Sequence, residues 1–200
     1  MRVLLLAHAF NGLTQRLFVE LAEDGHEVSV ELDVHDEATE EAVRLFRPDL
    51  VLAPFLKRRI PESVWGTRPT LVLHPGPPGD RGPSAHDRAI RDGDAEWGVT
   101  LLEARSGLDA GPVRAEARFP MRAATKSSLY RHEVAEAAVR VVKGALDGRP
   151  APARPVVGAW RGLVSRTERA IDWRRHGTAE ALARIRSGDS HPGVLDEILG

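Results

Sequence analysis

The chain has 200 residues, 42% hydrophobic and 28% charged, with a formal net charge of −1. That length supports one well-packed domain, the composition excludes a disordered chain, and the charge leaves no electrostatic footprint for DNA or RNA. With no cysteine, disulfides and thiolate chemistry are excluded; the short apolar run in MRVLLLAHAF is too short for a signal peptide or a membrane span, which predicts a cytoplasmic protein.

Residues 2–7, RVLLLA, read as a buried strand, because a helix would need a longer periodic pattern. Asn11-Gly12 breaks it, and Leu13, Leu17, Phe18 and Leu21 then recur at helical spacing until Gly25. EVSVELD at 27–33 alternates as a strand. DEATEEAVRLF puts Ala38, Ala42, Val43 and Phe46 on one helical face and ends before Pro48. DLVLAPF is a third strand, so β-α-β-α-β fills the first 55 residues and predicts a parallel sheet with helices on its faces.

TLVLH at 70–74 is the fourth strand. A helix begun by Pro83 and closed by Gly93 follows, then strands EWGVTLLEA and PVRAEARF around a turn at 106–111. Residues 126–148 form the longest predicted helix, with a buried stripe through Leu129, Val134, Ala137, Ala138, Val141, Val142 and Ala145. RPAPARPVVG is a proline-rich linker; a tail with IDW, a helix near 179–185 and HPGVLDEILG closes the chain. The expectation is a Rossmann-like, open and mostly parallel α/β sheet with helices on both faces. Residues 1–150 would be the catalytic domain, and 151–200 a linker with a helical extension packed on it.

In such sheets ligands bind beyond the carboxyl ends of the strands. Three polar loops meet there: His8 to Asn11, Phe55 to Arg58, and the turn after His74. Each candidate also has a plainer reading. His8 can simply bond nearby backbone; His26, His35, His132, His176 and His191 read as surface residues; His86, mid-helix, reads as exposed. Asp109 can cap its own turn, Arg81 can be an ion-paired loop residue, and Lys57, Arg58 and Arg59 read as a solvated run. His74 stands apart because a strand fixes it on one side and Pro75 on the other. The eight histidines show no metal-ligand spacing, so no metal is expected.

Four motifs carry a resemblance. HPGPPGDRGPS at 74–84, WGVTLLEA at 97–104, GLDAGPV at 107–113 and IDW at 171–173 resemble the folate-dependent formyltransferases. FNGLTQR, PFLKRRIP, FPMR and KSSLYRHEV are similar to the N-terminal module of the HypX family of hydrogenase-maturation proteins within that group. The resemblance implies 10-formyltetrahydrofolate as donor. His74 would donate a hydrogen bond to the oxyanion and Asp109 would orient His74 or shuttle the proton. Asp80, Arg81, Gly82 and Ser84 would frame the formyl site. Phe55, Leu56, Ile60, Leu101, Leu102 and Leu108 would line the folate. In the HypX-like reading the acceptor is the thiol of coenzyme A, contacted by Asn11, Thr14, Gln15, Arg16, Lys126 and Arg131, and a crotonase-like module in the same or a separate chain uses the formyl-CoA to supply carbon monoxide. One departure stands out: the family's usual asparagine two residues before the histidine is Val72 here. Formylation of a small amine, hydrolysis of the donor, and a non-catalytic folate-binding domain are the alternatives.

Overall fold

The computed structural model describes residues 1–148, 152–155, 157–189, 193, 194 and 196. Six strands form one sheet: β1 (Arg2–Ala7), β2 (Glu27–Leu32), β3 (Leu50–Phe55), β4 (Thr70–His74), β5 (Glu96–Glu103) and β6 (Val113–Pro120). Their order is β2-β1-β3-β4-β5-β6. The pairings β1–β2, β1–β3 and β3–β4 are parallel, while β5 runs antiparallel to both neighbours. The sheet is therefore mixed through this one reversed strand, and the chain switches direction across it between β1 and β3.

Alternation along the strands sorts their side chains onto two faces. Val3, Leu5, Leu52, Leu73, Val99 and Leu101 meet α1 (Gly12–Glu23) and α6 (Ala135–Asp147) in the main core. Leu4, Leu6 and Val51 meet Val43 of α2 (Asp36–Phe46) and Val64 of α3 (Glu62–Trp65) on the opposite face. His74 lies on this second face, in register with Thr100. Helices thus cover both faces, as the alternating pattern predicts.

The long helix expected at 126–148 is interrupted. A turn of α5 (Lys126–Leu129) runs into a π-helical turn, Tyr130–Val134, before α6 begins. α4 spans Ala85–Asp92, two residues short of the expected start at Pro83, and ends on Gly93 in the left-handed conformation at φ 73°. The helices α7 (Arg166–Arg169) and α8 (Thr178–Ser187) belong to the extension, and α8 packs on α4. A buried ion cluster fastens this arrangement: Asp87 of α4 contacts Arg169 at 2.7 Å and Lys126 at 3.0 Å. Among the described residues no helix is long and apolar enough to cross a membrane. His191 and most of the final HPGVLDEILG lie outside the described residues.

Candidate active site

β4 delivers His74 to the carboxyl end of the sheet with only 4% of its surface exposed. The turn that follows is pinned to β5: the Trp97 indole donates to the Pro75 carbonyl at 2.9 Å and the Thr100 hydroxyl to the Gly76 carbonyl at 2.7 Å. Gly79, at φ 93°, reverses the chain and returns Asp80 to the histidine. Asp80 Oδ2 stands 2.8 Å from His74 Nε2. On the other side of the ring, Asp109 Oδ1 stands 3.5 Å from Nδ1.

Asp109 arrives from the β5–β6 loop, which leaves the sheet opposite Leu71, the far end of β4. To reach His74 this loop must fold back across the sheet face. Two contacts hold it there: the Gly82 N–H donates to Asp109 Oδ2 at 3.1 Å, and Arg81 donates to the Leu108 carbonyl at 3.2 Å. Asp109 adopts φ 49°, a left-handed conformation uncommon for a non-glycine residue. Arg161, from the extension, donates to Asp80 Oδ1. Gly76 is required by proximity, since a Cβ there would lie 2.6 Å from both His74 Nε2 and Asp80 Oδ2.

His74 and Arg161 thus face two carboxylates, with His74 and Asp80 buried and Arg161 partly exposed. Burial opposes charge on His74, but hydrogen bonds from its ring to Asp109 and Asp80 win and raise its pKa from 6.5 to about 9. Burial likewise pushes both carboxyls up, and is outweighed: His74 and Arg161 lower Asp80, while His74 and the Gly82 N–H lower Asp109. The site therefore holds an imidazolium between two carboxylates near neutral pH.

Each ring nitrogen of His74 faces a carboxylate, so a donor role toward an oxyanion requires one of these contacts to be displaced. The Nδ1 contact is the more open of the two: it is the longer, and the Asp109 side chain is 16% exposed against 5% for Asp80. Asp80, expected only to frame the formyl group, instead touches the ring directly.

The other predicted residues divide. Leu102 pairs with Val72, on the His74 face of the sheet, and Leu108 sits in the loop beside Asp109. Phe55 is half-buried at the end of β3, while Leu56 and Ile60 pack against the second core. Leu101 points the other way and is 1% exposed in the main core, because successive strand residues alternate faces. Ser84 is spent structurally, its hydroxyl accepting from the Val164 N–H at 3.0 Å.

Among the expected acceptor contacts, Asn11 caps α1 by accepting from the Thr14 N–H, and Thr14 is fully buried. Arg16 pairs with Glu20 and Glu136, and Lys126 with buried Asp87. Gln15 and Arg131 remain exposed on adjacent elements, since Asn11 at the start of α1 hydrogen-bonds Tyr130 in the π turn. Burial raises the Tyr130 hydroxyl to about 12 despite that bond.

Two further readings change. His86 is buried rather than exposed; it packs against Trp97 and Tyr130, and burial lowers its pKa to about 4, keeping it neutral. Arg58 is no merely solvated residue, since it bridges Asp33 at 3.0 Å and Asp36 at 2.6 Å.

The family model described as formyl transferase matches residues 19–146. The chain belongs to that family. Among its relatives, the hydrogenase maturation factor HoxX of Bradyrhizobium diazoefficiens is 52% identical over 206 residues, covering 99% of this chain and 36% of that protein. The crystal structure of HypX from Aquifex aeolicus in complex with tetrahydrofolic acid superposes with a TM-score of 0.95 at 49% identity, over 98% of this chain and 36% of that one. A methionyl-tRNA formyltransferase of Acidithiobacillus ferrooxidans is 30% identical over 159 residues, covering 73% of this chain and 51% of that protein. The chain thus spans little more than a third of the length of the HoxX and HypX proteins it matches.

Val72, where the resemblance led to an expected asparagine, lies on the same face of the sheet as His74. Sequence reasoning also missed Arg161. It sits between Gly158 and Gly162 in a segment with no helical or strand periodicity, and nothing in the local sequence points it toward Asp80.

Proposed function

We propose that this chain transfers the formyl group of 10-formyltetrahydrofolate to the thiol of coenzyme A, within a hydrogenase-maturation pathway of the HypX and HoxX type. The observation that carries the reading is the buried His74 ring held between Asp80 and Asp109 at the carboxyl end of β4. Membership of the formyl transferase family and the tetrahydrofolic acid named for the HypX structure support the donor.

The chemistry follows from the charges. The acceptor sulfur attacks the formyl carbon and an oxyanion forms on the formyl oxygen. The His74 Nδ1–H stabilises that charge once the reacting group displaces its contact with Asp109. The carbon–N10 bond then breaks, giving formyl-CoA and tetrahydrofolate, and the thiol proton ends on N10. Asp109 is held below the usual carboxylate range, so it is a weak base. It fits a relay passing the proton from sulfur to nitrogen during collapse, not a group that stores it. The reaction as written uses no metal.

Phe55, Leu56, Ile60, Leu102 and Leu108 are the folate contacts retained in this reading, and Gln15 and Arg131, exposed and bonded only to local carbonyls of Phe10 and Ser127, are the acceptor contacts. Residues 1–150 supply the catalytic groups, and the extension contributes the segment 157–164, which crosses the turn after β4. A crotonase-like module outside this chain would consume the product.

The test is turnover of 10-formyltetrahydrofolate with and without coenzyme A, with formyl-CoA detected by mass spectrometry. His74→Ala and Asp109→Asn should each reduce CoA-dependent turnover by at least about 100-fold. Donor consumption indifferent to coenzyme A would refute the thiol acceptor. Folate binding without turnover would refute the enzyme reading for this chain.

A further inference from the structure

Both oxygens of Asp80 are used: Oδ2 on His74 Nε2 and Oδ1 on Arg161. Arg161 does not come from the sheet or its helices. It stands on the segment 157–164, which crosses the turn after β4 and is fastened there largely by its main chain. The Arg161 N–H donates to the Arg81 carbonyl at 2.9 Å and the Val164 N–H to the Ser84 hydroxyl at 3.0 Å. The Arg88 guanidinium donates to the Gly162 carbonyl at 2.6 Å.

Glycines make the crossing close. A Cβ on Gly82 would lie 2.0 Å from the Arg161 carbonyl oxygen, and one on Gly158 2.0 Å from that of Gly79. The segment is therefore seated without the Arg161 side chain. That side chain, 40% exposed, nonetheless turns to a carboxylate that is 5% exposed.

Resting on the formyl-transfer reading for its catalytic consequence, we propose that Arg161 is a positioning residue. By holding Asp80, it commits His74 Nε2–H to the closed side of the ring and leaves Nδ1, beside Asp109, as the N–H that meets the reacting group. The extension thereby completes the site that the sheet begins.

The charged and titratable groups facing this relay come from several elements. Asp80 and Asp109 lie on the two sides of His74, and Arg81 ties their loops together. His86 of α4 stays neutral through burial, with Lys126 opposing its charge and Asp87 favouring it. Asp94, after α4, feels both Asp80 and Arg161. Removing the Arg161 charge takes a cation from this set, so every remaining proton binds more tightly. Asp80 protonates more readily and His74 gives up its proton at higher pH.

The experiment is a pH titration of ring-labelled histidine by NMR, with the His74 signal assigned from His74→Gln, alongside steady-state kinetics. Arg161→Gln should move the His74 midpoint up by about one pH unit. It should lower kcat about tenfold while the KM for the folate changes less than about twofold. Arg161→Lys should restore the midpoint and part of kcat. In an Asp80→Asn background, Arg161→Gln should add no further effect on kcat.

An unmoved midpoint in a well-dispersed Arg161→Gln spectrum overturns the proposal. So does an equal loss of kcat with Asp80 already replaced, since Arg161 would then act by another route. A wild-type protein with no formyl transfer but a shifted Arg161→Gln midpoint overturns the formyl-transfer reading and leaves the ring placement standing. An active wild type with an Arg161→Gln variant unchanged in both readouts overturns the positioning role alone.

Discussion

Gly76→Ala puts a methyl group where His74 and Asp80 meet. The new Cβ would stand 2.6 Å from His74 Nε2 and from Asp80 Oδ2 and 2.9 Å from His74 Cδ2, where ordinary contact begins at 3.4 Å. The backbone cannot yield easily, because the carbonyls of Pro75 and Gly76 are held by Trp97 and Thr100 and prolines flank the glycine. Ring and carboxylate must therefore separate by nearly an ångström. A displacement of that size at reacting groups costs about 100-fold in rate. Overpacking of this kind costs about 1–3 kcal/mol of stability, or about 2–12 °C in melting temperature for a chain of this length. The assay pairs CoA-dependent formyl transfer near neutral pH with a thermal melt. Wild-type turnover together with an unaltered His74 titration in Gly76→Ala would show that the His74–Asp80 contact is not used, and would refute the argument from proximity.

Gly144→Ala supplies the contrast: it lies inside α6 with nothing within 4 Å of the new Cβ, so it should raise stability by about 0.5–1 kcal/mol in urea unfolding and leave turnover unchanged. Asp87→Ala strands Arg169 and Lys126 without their shared carboxylate and should cost about 3–5 kcal/mol by the same measurement. Lys126→Ala leaves the Arg169–Asp87 pair intact and should cost clearly less. His74 binds its proton more tightly folded than unfolded, so its stabilising contribution is complete below pH 6.5 and is lost as pH rises toward about 9. Unfolding free energy should fall across that window by up to about 3 kcal/mol, and His74→Ala should flatten the fall.

The strands and first helices were legible because their signals are local. RVLLLA and DLVLAPF are apolar runs bounded by breakers, and Leu13, Leu17 and Leu21 recur at helical spacing. Orientation was less so, since β5 reads as a strand whichever way it runs. The π turn at Tyr130–Val134 escaped because apolar periodicity continues on both sides of the inserted residue. His74 and Asp109 were found through the motifs that contain them. Arg161 and the burial of His86 were not, because each depends on which element happens to lie opposite. Around Arg161 that docking relies largely on main-chain groups of the extension and closely approaching glycines, which leave no periodic side-chain pattern to read.

Asp109 meets two demands at once. Its backbone, at φ 49°, favours glycine, asparagine and aspartate, while its chemistry favours a residue that ionises as an acid. The residue types satisfying both reduce to one. Asparagine, the commonest neighbour in size and shape, should keep the loop and abolish the relay, whereas glutamate should keep the charge and strain the loop. Drift at this position therefore has no neutral first step, and a descendant chain that needed a different proton carrier would have to rebuild the loop before it could change the residue.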